Sequence, residues 1–186
     1  RRRYRQLDRV RRMRVAARGF TLIEVLVTVV ILAVMASVLV LSVGAGDEEQ
    51  VLRREAERLQ ARIGYACERA ELGGREIGLH LRAGGYAFSA MQSEGWRFIE
   101  DDVALKRAAL PEGLSLLADD DELEAAFGEQ PQFLCFASGE ATPMAIEFAA
   151  GAQATRWRID VALDGATLLR HRGPEDRGWI DAGAAR

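Results

Sequence analysis

The sequence predicts an α+β protein in which one long N-terminal helix leads into an antiparallel β domain. Three observations predict it. Residues 25–46 form an uncharged apolar run, apolar residues then recur at three- and four-residue steps to about residue 72, and from residue 75 the period drops to two. Those two periods are the spacings at which helices and strands present one face to a core. The 186 residues hold one ordinary domain with an appendage and are too few for two enzyme domains. An apolar content of 49% supplies a core and excludes wholesale disorder.

The first element is basic. Residues 1–19 carry nine Arg and one Asp, a net of +8, whereas residues 20–186 carry 16 basic and 27 acidic side chains, a net of −11. The 22 residues from 25 to 46 would reach about 33 Å as a helix at about 1.5 Å per residue, the thickness of a bilayer core. Arginines placed just before such a span hold the N-terminus in the cytoplasm and send the rest of the chain across the membrane. A cleaved signal peptide would use Val43-Gly44-Ala45-Gly46 as its small-residue cleavage site. A plain uncleaved anchor accounts for the arginines and the span but gives no reason for Glu24. An acid at the membrane face of an apolar helix is costly unless paired, so Glu24 requires a partner.

Arg18-Gly19-Phe20-Thr21-Leu22-Ile23-Glu24-Val25-Leu26-Val27 resembles the class III signal of type IV pilins and type II secretion pseudopilins. The resemblance implies that a prepilin peptidase cuts after Gly19 and that Phe20 becomes the N-methylated first residue. Glu24 would then be the fifth residue of the mature chain, placed to pair with the free ammonium of a neighbouring subunit. The leader is longer than the shortest of that family and begins at Arg1 rather than Met, which leaves its true start open. The expected organisation is a basic prepilin leader at 1–19, the transmembrane half of the helix at 20–46, an amphipathic periplasmic half at 47–74 and a periplasmic β domain at 75–186. The implied location is the bacterial inner membrane, single-pass, N-terminus cytoplasmic and β domain periplasmic.

Beyond the span, Leu52, Ala56, Leu59, Ile63, Ala66 and Ala70 form one stripe, with Arg53, Arg54, Glu57, Arg58, Arg62 and Arg69 mostly on other faces. Helix from about Thr21 to Leu72 would be about 75 Å long, with Gly73-Gly74 as its stop. Next, Ile77, Leu79 and Leu81 alternate with Gly78, His80 and Arg82, and Gly84-Gly85 offers a hairpin turn into Tyr86, Phe88 and Ala90. Trp96 and Phe98, then Leu114 and Leu116, then Phe133, Cys135 and Ala137 continue the pattern. Trp157, Ile159, Val161 and Leu163 alternate with Arg156, Arg158, Asp160 and Ala162, and Asp164-Gly165 reads as a two-residue turn into residues 166–170. One face of this sheet is expected on the helix. The stretch 111–131, with its run Asp119-Asp120-Asp121-Glu122, reads as a solvated loop or short helix.

The segment from Phe133 to Pro143 is similar to the strand–turn segment of GspH/FimT-type minor pseudopilins, with Phe136, Gly139, Glu140, Thr142 and Pro143 at the matching turn. Gly139 permits positive φ, and Pro143 interrupts regular pairing. Together with the leader and layout, this resemblance implies a pilin-like fold and a low-abundance subunit near the tip of a secretion pseudopilus. Its implied partners are other minor pseudopilins, the major pseudopilin and the prepilin peptidase, with no cofactor.

No catalytic motif stands in the chain. His80 and His171 sit in no metal-ligand spacing and read as surface residues. There is no G-x-S-x-G and no phosphate-binding Gly loop, so no enzymatic activity is expected. Cys67 and Cys135 both fall on buried sides of their elements; a disulfide formed in an oxidising periplasm and two buried free thiols fit equally. The acidic run lacks the Gly and the alternation of a Ca²⁺ loop, and no metal is expected there. Arg170-His171-Arg172-Gly173 keeps open a minor type IV pilin of FimT type, acting in pilus assembly or DNA uptake. A region of net −11 repels phosphate, so nucleic acid is not expected as a partner. A third class, a membrane-anchored periplasmic binder that never polymerises, explains the span but not Glu24.

Overall fold

A computed structural model describes residues 21–119, 121–151 and 155–183, with the side chains of 36–47 not described. Helix α1 runs Leu22–Gly73. It is followed by strands β1 (Ile77–Arg82), β2 (Gly85–Gln92), β3 (Gly95–Phe98), β4 (Ala108–Ala109), β5 (Leu114–Ala118) and β6 (Asp121–Glu122). The rest are β7 (Phe133–Cys135), β8 (Met144–Ala150), β9 (Arg156–Val161), β10 (Thr167–Arg172) and β11 (Ile180–Asp181). The chain divides into two compact units, Arg1–Val43 and Gly44–Arg186.

In the first unit the described helix begins on Thr21, whose carbonyl and hydroxyl both face the Glu24 N–H, at 3.1 and 3.3 Å. That is an N-cap, which satisfies a donor the first helical turn leaves open. Side chains from Leu22 to Met35 are exposed all round the helix and almost all apolar. Among the described residues no helix is long and apolar enough to cross a membrane; the second part of the 25–46 run lies among the side chains not described.

The second unit is built on the amphipathic stripe. Leu52, Ala56, Leu59, Ile63, Ala66 and Ala70 are all buried. They meet two antiparallel sheets rather than the single sheet expected. Sheet A has the order β3-β2-β1-β7, with β4 on the same edge of β2 as β3; sheet B has the order β11-β10-β9-β8-β5-β6. A bond from Leu116 N–H to the Ala83 carbonyl (3.0 Å) joins the sheets at the β1–β2 loop. Sheet A contributes Leu79, Leu81, Tyr86 and Phe88 to the core, and sheet B contributes Leu116, Ile146, Phe148, Trp157 and Ile159.

Three local expectations change. The β1–β2 turn is Ala83-Gly84, because Gly85 already pairs with Arg82. A side chain at Gly85 would start 2.4 Å from the Ala108 carbonyl oxygen, so this glycine serves the close approach of β4 and not the turn. In the β9–β10 hairpin, Ala162 N–H bonds the Ala166 carbonyl (2.9 Å), which leaves a three-residue loop, Leu163-Asp164-Gly165. Gly165 takes φ 75°, the left-handed residue that a three-residue hairpin loop needs. Within 111–131 the strand expected at Leu114 and Leu116 is β5, but the acidic run adds the short strand β6 in place of the expected loop or short helix, and Asp119 turns between the two strands at φ 48° with its Oδ1 accepting from Ala145 N–H (2.9 Å).

The alternation in β1 predicts one covered face, yet Gly78 and His80 are as buried as Leu79. Residues 127–132 fold over the outer face. His80 Nδ1 lies 3.1 Å from the Gly128 carbonyl and its Nε2 lies 2.8 Å from Ser89 Oγ, with Phe98 against the ring at 4.8 Å. Gln132 completes the cover like a third strand, its Oε1 accepting from Leu81 N–H (2.8 Å) and its Nε2 donating to the Leu81 carbonyl (3.2 Å). The surface reading of His80 is therefore wrong, because the polar loop carries Phe127 and Pro131 as an apolar lid.

Leu59→Ala should lower the unfolding free energy by about 2–5 kcal/mol, whereas exposed Glu57→Ala should stay within about 0.5 kcal/mol, both read from denaturant melts. Burial holds the His80 pKa below its ordinary 6.5, so below that pH the unfolded chain binds a proton that the folded one refuses. Stability should be complete above about pH 6.5 and fall as the pH drops below it, by at most about 1.4 kcal/mol per pH unit; His80→Asn should flatten that part of the profile.

Candidate functional sites: the helix start and a cross-linked corner

Two places carry the residues singled out in the sequence. The first is the start of α1. Gly19 and Phe20, with the whole basic leader, lie outside the described residues. Glu24 lies within them, in the first turn, exposed, three residues after the Thr21 cap. Thr28 Oγ1 turns back to the Glu24 and Val25 carbonyls (2.9 and 2.8 Å), so its hydroxyl is satisfied within the helix and adds no free polar group to this face. Glu24 is the sole charged side chain among the described residues 21–35.

The second place is a corner of the Gly44–Arg186 unit where three elements meet. Cys67, near the end of α1, is disulfide-bonded to Cys135 at the end of β7, with Cα atoms 4.8 Å apart. Immediately after Cys135 comes the turn. Phe136 N–H donates to the Glu140 carbonyl (2.8 Å), Gly139 N–H to the Phe136 carbonyl (3.1 Å) and Thr142 N–H to the Leu134 carbonyl (2.9 Å). The chain then reaches Pro143 and enters β8. Ala141, fully buried, donates its N–H to the Leu163 carbonyl (2.8 Å), which ties the turn to the β9–β10 loop. Space around Gly139 is bounded by the Glu71 carboxylate, and space around Gly165 by the Gly139 carbonyl and Cys67. The corner thus gathers Phe136, Gly139, Glu140, Thr142, Pro143 and both cysteines.

The corner has no acid–base pair or nucleophile with a base beside it. Among the described residues no three His, Cys, Asp or Glu side chains converge as metal ligands. The basic C-terminal run is not a free patch: Arg170 bonds Asp160 (3.2 Å) and Asp181 (3.0 Å), Arg172 lies over Trp179 (4.7 Å), and His171 packs half-buried on Trp157 (5.2 Å). Sequence reasoning missed Arg62, buried against Tyr86 with its NH1 3.3 Å from the phenol oxygen, and Glu147, buried and bonded to Arg158 (3.2 Å). Arg62 was findable: it stands three residues after Leu59, on the border of the apolar stripe.

A capped helix whose exposed start is apolar but for one acid, leading into a small antiparallel two-sheet domain, defines a pilin-like subunit. Comparison with known proteins agrees with that class. The model of the prokaryotic N-terminal methylation motif matches residues 14–40, and that of type II transport protein GspH matches residues 55–165. Type II secretion system protein H of Pseudomonas aeruginosa is 34% identical over 167 residues, covering 83% of this chain and 95% of that protein. Its namesake from Aeromonas hydrophila is 29% identical, covering 82% and 91%. The minor pseudopilin EpsH from the type 2 secretion system of Vibrio cholerae shares the fold, with a TM-score of 0.55 at 24% identity over 67% of this chain and 98% of that one. So does Escherichia coli GspH, at 0.52 and 22% over 69% and 92%. The chain belongs to the GspH family of type II transport proteins.

The Cys67–Cys135 bond closes a long loop between helix and sheet. Replacing both cysteines with Ala should cost about 2–4 kcal/mol of unfolding free energy, and reducing agent should lower the melting temperature of the unmodified chain but not of the double variant.

Proposed function

We propose that this chain is a minor pseudopilin of a type II secretion system, a non-enzymatic subunit that joins a short periplasmic filament near its tip and links the tip complex to the major pseudopilin during export of folded proteins. The observation that carries the reading is the start of α1, where residues 22–35 expose apolar side chains on every face with Glu24 as their one acid. Such a helix is stable only where lipid or other apolar helices cover it. The methylation-motif match over residues 14–40 supports processing after Gly19 with methylation of Phe20, and supports an envelope location. The 22-residue uncharged run supports a single inner-membrane span, with the leader cytoplasmic and the domain from about residue 47 periplasmic.

The mechanism is mechanical. The subunit waits in the membrane, is trimmed after Gly19, and leaves the bilayer as Glu24 pairs with the new N-terminal ammonium of a neighbour. A carboxylate and an ammonium are each costly in hydrocarbon and cheap together, so the pair favours assembly and sets the stagger of the helices. The oxidising periplasm keeps the Cys67–Cys135 bond closed. The FimT-type alternative, with DNA as ligand, loses support from the ion pairs and ring contacts that already engage Arg170 and Arg172.

Gly19→Ala should leave the leader attached, seen as a heavier intact mass. Glu24→Ala should insert and be processed normally but crosslink to sister subunits several-fold less and slow secretion; normal secretion together with normal crosslinking would overturn the filament reading.

A further inference from the structure

Sheet B ends on the two-residue β11, so among the described residues the outer edge of β10 is covered by the chain's own tail. After β10 the backbone reverses, with Gly173 N–H donating to Asp176 Oδ2 (2.8 Å) and Asp176 N–H to the Gly173 carbonyl (3.2 Å). It returns as β11, where Ile180 and Asp181 pair with His171 and Arg170, and Ala182 N–H bonds the Leu169 carbonyl (2.9 Å). No residue from 173 to 183 is fully buried. A two-residue strand with so little buried apolar surface belongs to the least stable part of a fold.

What holds the tail is a pattern on the outer face. The strand registers place Glu147 of β8, Arg158 of β9, Arg170 of β10 and Asp181 of β11 in one row. Arg158 and Arg170 stand directly opposite each other, as do Arg156 and Arg172. Like charges so placed repel, and the flanking acids offset the repulsion. Asp160 bridges the first pair, 2.8 Å from Arg158 Nε and 3.2 Å from Arg170 NH1, and Asp181 closes the row 3.0 Å from Arg170 Nε. Two residues earlier on the same face, Trp179 lies against the guanidinium groups of Arg172 (4.7 Å) and Arg158 (5.4 Å). The tail therefore meets the edge through two features at alternate positions, an aromatic ring over Arg172 and a carboxylate opposite Arg170.

We infer that the outer edge of β10 is a strand-acceptor site for a sister subunit, with the tail 173–183 as its replaceable resident cap. The occupant is an extended segment that pairs antiparallel to residues 167–172 and carries an aromatic residue followed two positions later by Asp or Glu. Arginines along an edge strand repel indiscriminate strand pairing and select an acidic partner, and main-chain bonds then supply the affinity. The GspH-family match stops at residue 165, so the tail stands outside the matched segment. The identity of the partner rests on the filament reading; the chemistry of the edge does not.

The test uses the full chain in detergent and a fluorescent peptide of the chain's own residues 177–183. A Trp179→Ala/Asp181→Ala variant, whose tail has lost both anchors, should bind the peptide about tenfold more tightly than the unmodified chain, and adding Arg170→Glu should abolish the gain. Equal binding by both chains, or binding that survives Arg170→Glu, overturns the acceptor site. In the unmodified chain, whose folding is not at issue, the Ile180 and Ala182 amides should exchange with solvent much faster than those of β9; equal protection also overturns it. In cells, a photocrosslinker at exposed Leu168 should capture another pseudopilin, and adducts confined to the chain's own tail overturn the sister-subunit partner. Peptide binding that succeeds while Glu24→Ala leaves assembly intact would keep the edge and discard the filament reading.

Discussion

The whole Gly44–Arg186 unit depends on the burial of one helical stripe. Leu52, Ala56, Leu59, Ile63, Ala66 and Ala70 are the surface on which both sheets close, and neither sheet could cover its apolar face without them. Alanine at three of the six positions lets the backbone of α1 approach the strands, and the larger Leu and Ile residues fill the space beside it. Everything else in the unit is arranged around that contact. Arg62 can sit at its border because Tyr86 and the Lys106 carbonyl receive its guanidinium.

Periodicity made the stripe, the helix end and most strands legible, because both periods report a single buried face. It failed where a second layer covers the other face. His80 alternates with Leu79 and Leu81 and so reads as exposed, yet residues 127–132 close over it. Nothing local in β1 announces that cover; the clue lay far away, in Phe127 and Pro131 within a stretch that otherwise looks solvated. The division into two sheets was illegible for a related reason. Strand spacing along the chain does not say which strands share hydrogen bonds, and β5 pairs with β8 across an excursion that includes β6 and β7.

The cross-linked corner shows the same contrast. Gly139 and Pro143 mark a turn in any sequence, and two cysteines mark a possible pair. That the turn, the pair and the β9–β10 loop occupy one place follows from topology: β7 joins sheet A while the next strand, β8, joins sheet B. The chain must cross between sheets just after Cys135, and the crossing is where α1 ends. Glu24 is the opposite case. Its isolation in an apolar run is legible from the sequence, and the helix adds that it stands exposed one turn after the cap.

The covalent bond at the far end of the stripe changes how the domain answers to tension. A pull along α1 without it would peel the helix away from its last turn, breaking contacts one after another at little force each. With Cys67 tied to β7, the last turns cannot be stripped singly, and helix and strands must slide past each other together. Sliding breaks the contacts of Leu52 through Ala66 in parallel, so the load is shared.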